Sequence, residues 1–235
     1  MTSKILVLDI ETKPILSYHW GLFNQNISLD QIKEDGGVLC VGAKWLGDKN
    51  CHFYSEWKDG QEKMLKETHK LLSEADAVVG YNSTSFDVPR LRGRMVENNL
   101  PPLPNLTEID LLKTVRKLGL TSGKLAFVGP FLKIGKKVKN AGWALWIGVL
   151  DGCGKSQKQM QTYCMGDVKL TEQVYIKLKP YMNNHPNLGH GHNCAKCGGT
   201  KLQSRGYTLT ASFRTQRLQC QSCYGWSQGK REKIN

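Results

Sequence analysis

No stretch of the 235 residues is apolar for long enough to cross a bilayer. The opening Met1-Thr2-Ser3-Lys4 runs straight into a short apolar segment, not into the charged, apolar, small-residue pattern of a secretory leader. The first absence excludes membrane-spanning functions by helices. The second predicts a cytoplasmic chain, gives no weight to the Asn-x-Ser/Thr triplets at Asn26, Asn82 and Asn105, and makes a disulfide framework from the eight cysteines unexpected. Acid is also scarce: 20 Asp and Glu stand against 33 Lys and Arg, for a net charge of +13. Residues 111–150 hold eight Lys/Arg and no acid, and His185 to the end holds eight with Glu232 alone opposing them. A polyanion is the expected partner, nucleic acid first. No Gly-x-Ser-x-Gly elbow occurs. Gly152-Cys153-Gly154-Lys155-Ser156 resembles the tail of a phosphate loop, but Val149 stands where the leading glycine belongs, which excludes an ATP site. Repeats and low-complexity tracts are missing too.

What is present reads as an α/β chain. Residues 4–10 form an aliphatic, β-branched strand, and 38–46 and 51–55 follow across a Gly47-Asp48-Lys49-Asn50 turn. A helix is predicted over 61–73, a short strand over 77–81, and a helix over 86–98 with Pro89 in its first turn. Pro101, Pro102 and Pro104 then break the chain; a strand near 106–110 and one or two helices to about 132 come next. The longest helical pattern covers 157–178. The expected division is 1–182 for the first domain, a 183–192 linker rich in Asn, Gly and His, and a 193–235 module.

Side chains alternate along a strand, so Asp9 and Glu11 share a face at the end of an apolar run. Like charges so placed repel unless something positive lies between them. In the long helix, Met160, Tyr163, Asp167, Leu170, Val174 and Leu178 fall on one stripe, so Asp167 belongs to the apolar side. Asp87, Leu91 and Met95 repeat the pattern in the earlier helix. Four inward carboxylates from three segments make a hard oxygen cage suited to two Mg²⁺ or Mn²⁺ ions. Tyr163 is one turn from Asp167, either to orient a water or as a core aromatic with a satisfied hydroxyl.

In this order, Asp9-Ile10-Glu11-Thr12, Tyr81-Asn82-Ser83-Thr84-Ser85-Phe86-Asp87 and Tyr163-Cys164-Met165-Gly166-Asp167 resemble the DEDDy 3′–5′ exonucleases, which have a ribonuclease-H-like fold: a mixed sheet flanked by helices. The likeness spans about residues 4–180, and the chain is similar to the stand-alone nucleases related to the proofreading domains of family B DNA polymerases. It implies that Asp9 bridges both ions, that Glu11 and Asp167 complete the site beside the attacking water, that Asp87 acts on the second ion, and that Tyr163 positions the nucleophile. Thr12, Asn82 and Phe86 would line the terminal-nucleotide pocket. Residues 118–150, with Lys133, Lys136, Lys137 and Lys139, look like a variable insert, either tracking phosphates or simply solvated. Trp20 and Phe23 either stack on bases or pack in the core. The expected activity is metal-dependent removal of nucleotides from a 3′ end, with single-stranded DNA as first substrate. The alternatives are an exoribonuclease or a non-catalytic nucleic-acid-binding or adaptor protein on the same scaffold.

Cys194-x-x-Cys197 and Cys220-x-x-Cys223 have the spacing of a four-thiolate site for one structural zinc. His190 and His192 are a weaker alternative as ligands. The other cysteines (Cys40, Cys51, Cys153, Cys164) read as small hydrophobes. Ribbon strands are expected at 201–207 and 213–218. Arg205, Arg214, Arg217 and Lys230 among Tyr207, Phe213, Tyr224 and Trp226 suit single-stranded nucleic acid, with Arg214, Arg217 and Trp226 as the contacts; docking of a replication or repair protein is the alternative.

Overall fold

The computed structural model describes residues 3–183, 185–188 and 192–234. They fall into two compact units, Lys4–Glu172 and one built on Gln173–Asn235, with the division inside the last helix.

In the larger unit the strands are β1 (Ile5–Thr12), β2 (Leu16–Ser17), β3 (Ile32–Glu34), β4 (Val38–Trp45), β5 (His52–Ser55), β6 (Ala77–Gly80) and β7 (Glu108–Asp110). Its helices are α1 (Glu56–Asp59), α2 (Gln61–Glu74), α3 (Asp87–Glu97), α4 (Leu111–Val115), α5 (Leu125–Phe131) and α6 (Trp143–Leu150), and α7 (Gly154–Leu178) runs on into the second unit. The main sheet has the order β5-β4-β1-β6-β7, with β4 antiparallel and β6 parallel to β1. As the centre strand, β1 is covered on both faces, which is why Ile5 to Leu8 are uniformly apolar and buried. Leu6, Leu8 and Ile10 pack with Met64, Leu65 and Leu72 of α2 and Leu91 and Met95 of α3. On the opposite face, Leu39 and Cys40 of β4 pack with Leu145 and Val149 of α6 and Met160, Tyr163 and Cys164 of α7. Alternation therefore turns Asp9 and Glu11 toward α7.

Two glycines set how closely α7 lies on this face. Gly42 pairs with Asp9 across the sheet, and a Cβ there would fall 2.9 Å from Cys164 Sγ and 3.0 Å from Val168 Cγ2. A Cβ on Gly166 would fall 2.5 Å from Val138 Cγ2, so the loop after α5 lies directly on the helix. Gly42→Val is expected to cost about 1–3 kcal/mol by overpacking. It should also lower any hydrolytic activity by a larger factor than that loss of stability explains, because it lifts α7 off β1. A urea midpoint and an activity measurement on the same preparation compare the two.

Several elements depart from the sequence expectation. The helix α6 was hidden inside the insert, because WALWIGVL is apolar all round and gives no periodicity. Residues Ile15 to Leu29 carry a run of exposed apolar side chains; Trp20 is fully exposed and Phe23 largely so, so neither is core. Cys40 and Cys164 are buried as small hydrophobes, whereas Cys153 is exposed and Cys51 partly so.

The second unit contains a separate antiparallel sheet in the order β10-β9-β8: β8 (Leu202–Leu209), β9 (Phe213–Cys220) and β10 (Trp226–Lys233). The sequence reading found the first two. The third, WSQGKREK, has no apolar alternation and is a strand by virtue of its backbone pairing alone. No helix among the described residues is long and apolar enough to cross a membrane.

Candidate active site

Asp9, Glu11 and Asp167 each bring a carboxylate oxygen within 4.8 Å of the other two. Strand alternation supplies the first pair, and the helical stripe through Tyr163 and Asp167 supplies the third. Asp87 opens α3 and is buried, but it lies outside that tight group: its Oδ1 accepts the Ile10 amide proton at 3.0 Å. It thus approaches β1 between the two acidic residues of the strand.

The cage strains its own charge. Burial first, then the charges of Asp87, Glu11 and Asp167, push the Asp9 carboxyl well above the ordinary range. Burial raises Glu11 from 4.5 to about 7, with Asp167 and Asp87 adding to it. Burial likewise raises Asp87 from 3.8 to about 7, against the pull of the Ile10 amide. Asp9 Oδ2 and Asp167 Oδ1 are buried without a hydrogen-bond partner. Buried carboxylate oxygens with no donor are costly. An all-oxygen set of this kind fits a hard divalent cation.

The positive charge that the acidic pair demands is supplied in part by Lys137. Its Nζ lies 2.8 Å from Asp167 Oδ2 and 4.9 Å from the Tyr163 ring centre. Burial disfavours its charge, but the bonds to Asp167 and Tyr163 win and hold its pKa above that of an ordinary lysine. Sequence reading placed Lys137 with its neighbours as a surface contact. The close approach allowed by Gly166 instead delivers it into the cage, while Lys136 stays exposed. Lys137→Met should therefore raise the affinity for Mg²⁺ by about threefold or more in titration calorimetry, by removing a competing cation from partly desolvated carboxylates. An unchanged or weaker affinity would show that the lysine does not oppose cation entry.

The remaining candidates are scattered around the cage. The Thr12 carbonyl accepts the Trp146 indole proton at 3.1 Å, and the Trp146 ring meets Tyr163 edge-on at 6.1 Å. Asn82 holds a left-handed backbone, φ 69°, and donates its amide to Asp110 at 2.9 Å. Phe86 packs on the core under Arg90, whose guanidinium is 4.4 Å from the ring. Trp146 and Asp110 were not foreseen. Asp110 also accepts from Thr84 at 2.7 Å and caps α4 through Leu112, so it pins the turn that leads into Asp87. An acid closing the short Glu108-Ile109-Asp110 strand was the only signal for it. Beside the cage lies an open cavity of about 720 Å³ lined by Tyr81, Arg116, Lys124 and Lys137.

In the second unit all four cysteines of the paired motifs converge within 4.8 Å. Cys194 and Cys223 sulfurs are 3.8 Å apart, and Cys197 and Cys220 sulfurs 3.6 Å. A zinc ion with Zn–S bonds of about 2.3 Å sets sulfurs on a tetrahedron edge of about 3.8 Å, which these distances match. Amides of Lys196, Gly199 and Ser222 point at the sulfurs at 3.4–3.5 Å. The group fits a zinc ribbon. His192 is exposed and outside it, and His190 lies outside the described residues.

A mixed five-stranded sheet flanked by helices, with acids gathered beside its centre strand, defines a ribonuclease-H-like, nuclease-type domain. The chain belongs to the RNase H superfamily, whose family model matches residues 29–179. The matched stretch contains Asp87, Tyr163 and Asp167. No curated protein matches the chain. Among solved structures it is similar to the family B DNA polymerase from the hyperthermophilic archaeon Pyrobaculum calidifontis, at 17% identity and a TM-score of 0.58. That match covers 76% of this chain and 25% of the polymerase, so the chain spans about a quarter of the polymerase's length. The likeness concerns the fold.

Proposed function

We propose that this protein is a 3′–5′ exonuclease that hydrolyses terminal phosphodiesters, with single-stranded DNA as its preferred substrate and two Mg²⁺ or Mn²⁺ ions as cofactors. The observation that carries the reading is the convergence of Asp9, Glu11 and Asp167 with buried, unpartnered oxygens. When bound, the divalent ions supply Lewis acidity and lower the pKa of water at neutral pH. Asp9, Glu11 and Asp167 would hold them, while Asp87 accepts the Ile10 amide proton and adds negative charge near Asp9. The Tyr163 hydroxyl stays protonated, since burial raises its pKa, and it orients the attacking water. Lys137, Arg116 and Lys124 line the cavity where the terminal phosphate and nucleotide are received. Attack at phosphorus breaks the bond to the 3′-oxygen of the preceding nucleotide, which leaves and takes up a proton.

Support for the 3′ direction comes from the order and spacing of the three motifs, including the tyrosine one turn before Asp167. One structural zinc in the four-sulfur group, and the eight free cysteines, suit a reducing, cytoplasmic setting. The experiment is metal-dependent digestion of 3′- and 5′-labelled DNA and RNA oligonucleotides. The expected result is a ladder that shortens from the 3′ end of single-stranded DNA. No ladder with either metal eliminates the enzyme reading, and faster digestion of RNA replaces the substrate. Tyr163→Phe should slow hydrolysis by roughly a hundredfold or less, because it misplaces the water without removing the metal ligands. A loss as large as that of an aspartate variant would assign the tyrosine a proton-transfer role instead.

A further inference from the structure

The register of the ribbon sheet sorts its basic residues onto two unlike faces. On β9, Phe213, Thr215, Arg217 and Gln219 alternate with Arg214, Gln216, Leu218 and Cys220. Across β10, Arg217 pairs with Gln228, Thr215 with Arg231, Phe213 with Lys233 and Gln219 with Trp226. The two-residue bulge between Gln228 and Arg231 keeps both on the same side. One face therefore carries Phe213, Arg217, Trp226, Arg231 and Lys233, and it holds no carboxylate. Arg217 lies 5.8 Å from the Trp226 ring and Arg231 4.0 Å from that of Phe213. Gln203, Gln219 and Gln228 stand among them, with side-chain amides of a kind suited to base edges. The opposite face carries Tyr207 and Arg214 together with Glu232, the ribbon's only acid. Glu232 binds Arg214 at 2.6 Å and Lys230 at 3.2 Å, so those two cations share its one negative charge and their donors are engaged.

We propose that the Phe213–Arg217–Trp226–Arg231–Lys233 face is a second binding site, a grip for single-stranded nucleic acid, and that the Arg214–Glu232 face is not. Charge complementarity argues for the occupant: three uncompensated cations beside two aromatics in a sheet otherwise free of acid. The guanidiniums over the rings leave their N–H edges free for phosphates, and Trp226, about half exposed, offers its outer surface for stacking. This divides the residues that sequence reading had grouped: Arg217 and Trp226 belong to the grip, and Arg214 does not. The site is independent of hydrolysis, so its test and the laddering test can fail separately.

The test measures anisotropy of a fluorescein-labelled oligothymidine against the full-length chain carrying Asp9→Asn, over a salt series. Arg217→Ala and Arg214→Ala remove the same formal charge from opposite faces. Arg217→Ala is expected to weaken binding at least about fivefold, with Arg214→Ala within about twofold of the parent. The Arg217→Ala/Arg231→Ala pair should flatten the log Kd against log salt slope by about 1.4, at roughly 0.7 for each phosphate contact on a single strand. Trp226→Ala should weaken binding about fivefold or more at every salt concentration, since stacking is not ionic. An equal loss in Arg214→Ala, or unchanged affinity and slope in the Arg217 and Arg231 variants, overturns the proposal. An unchanged zinc content in each variant shows that the ribbon has folded.

Discussion

Asp9→Asn is expected to abolish metal-dependent hydrolysis, by at least about a thousandfold, and at the same time to make the metal-free protein more stable. The first effect follows from removing a ligand from the centre of the cage, where charge stabilisation is usually the largest catalytic contribution. The second follows from the burial of the Asp9 charge and its crowding by Asp87, Glu11 and Asp167. A neutral amide of the same shape ends that repulsion and has protons to give to its neighbours. In a domain of this size each kcal/mol gained raises the thermal midpoint by about 2–4 °C.

Burial of the acids sets an unusual pH dependence. Glu11 and Asp87 titrate near 7 when folded, against 4.5 and 3.8 otherwise. Between those values the folded state binds more protons than the unfolded one, so this contribution destabilises fully above pH 7, shrinks as pH falls, and disappears only below 3.8. The Asp9 carboxyl is raised in the same sense by burial and by its acidic neighbours, so the midpoint advantage of Asp9→Asn over wild type should shrink between pH 8 and pH 5.5 without metal. Saturating Mg²⁺ should reverse the order at pH 8, because wild type alone has the full ligand set. Calorimetric scans of both proteins with and without metal provide the check. A wild type more stable than Asp9→Asn at pH 8 without metal would mean that the cage is not under charge strain.

Removal of the metal expected in the four-sulfur group should unfold the ribbon and leave the nuclease unit standing. From Asn193 to Ile234 the buried positions are Cys194, Lys196, Cys220 and Gly225, so the sheet has almost no apolar core of its own. A module this small is held by its metal, and structural zinc supplies on the order of 10–16 kcal/mol in comparable peptides. Cys220→Ser, or zinc chelation, should expose 193–235 to rapid proteolysis while Lys4–Glu172 survives as a resistant fragment. Hydrolysis of very short oligonucleotides should persist, and binding of long single strands should drop. A ribbon that resists protease after its zinc is shown to be gone would refute the metal-stapled reading.

Much of this protein was legible without coordinates because its chemistry lies on regular periods. A strand repeats every two residues, which joins Asp9 to Glu11. A helix repeats every 3.6, which joins Tyr163 to Asp167 and turns Asp87 inward. The paired Cys-x-x-Cys motifs needed only their spacing. The cage lysine was not legible as such: Lys137 is one of five lysines in the insert, and only the contact between Val138 and Gly166 chooses it. Trp146 and Asp110 escaped for the same reason. Each acts on a residue far away in sequence, Thr12 in one case and the Asn82–Thr84 turn in the other.

By itself, then, the sequence determined which residues are acidic and inward, which sulfurs can meet, and that the whole is basic. The tertiary structure alone decided that three carboxylates form the tight group with Asp87 beside them, that one lysine shares their site, and that Arg231 joins the face of Arg217 while Glu232 pairs with Arg214. The reason is physical: side-chain direction within an element follows from backbone geometry, whereas partners across elements depend on register, bulges and close packing, which no local pattern encodes.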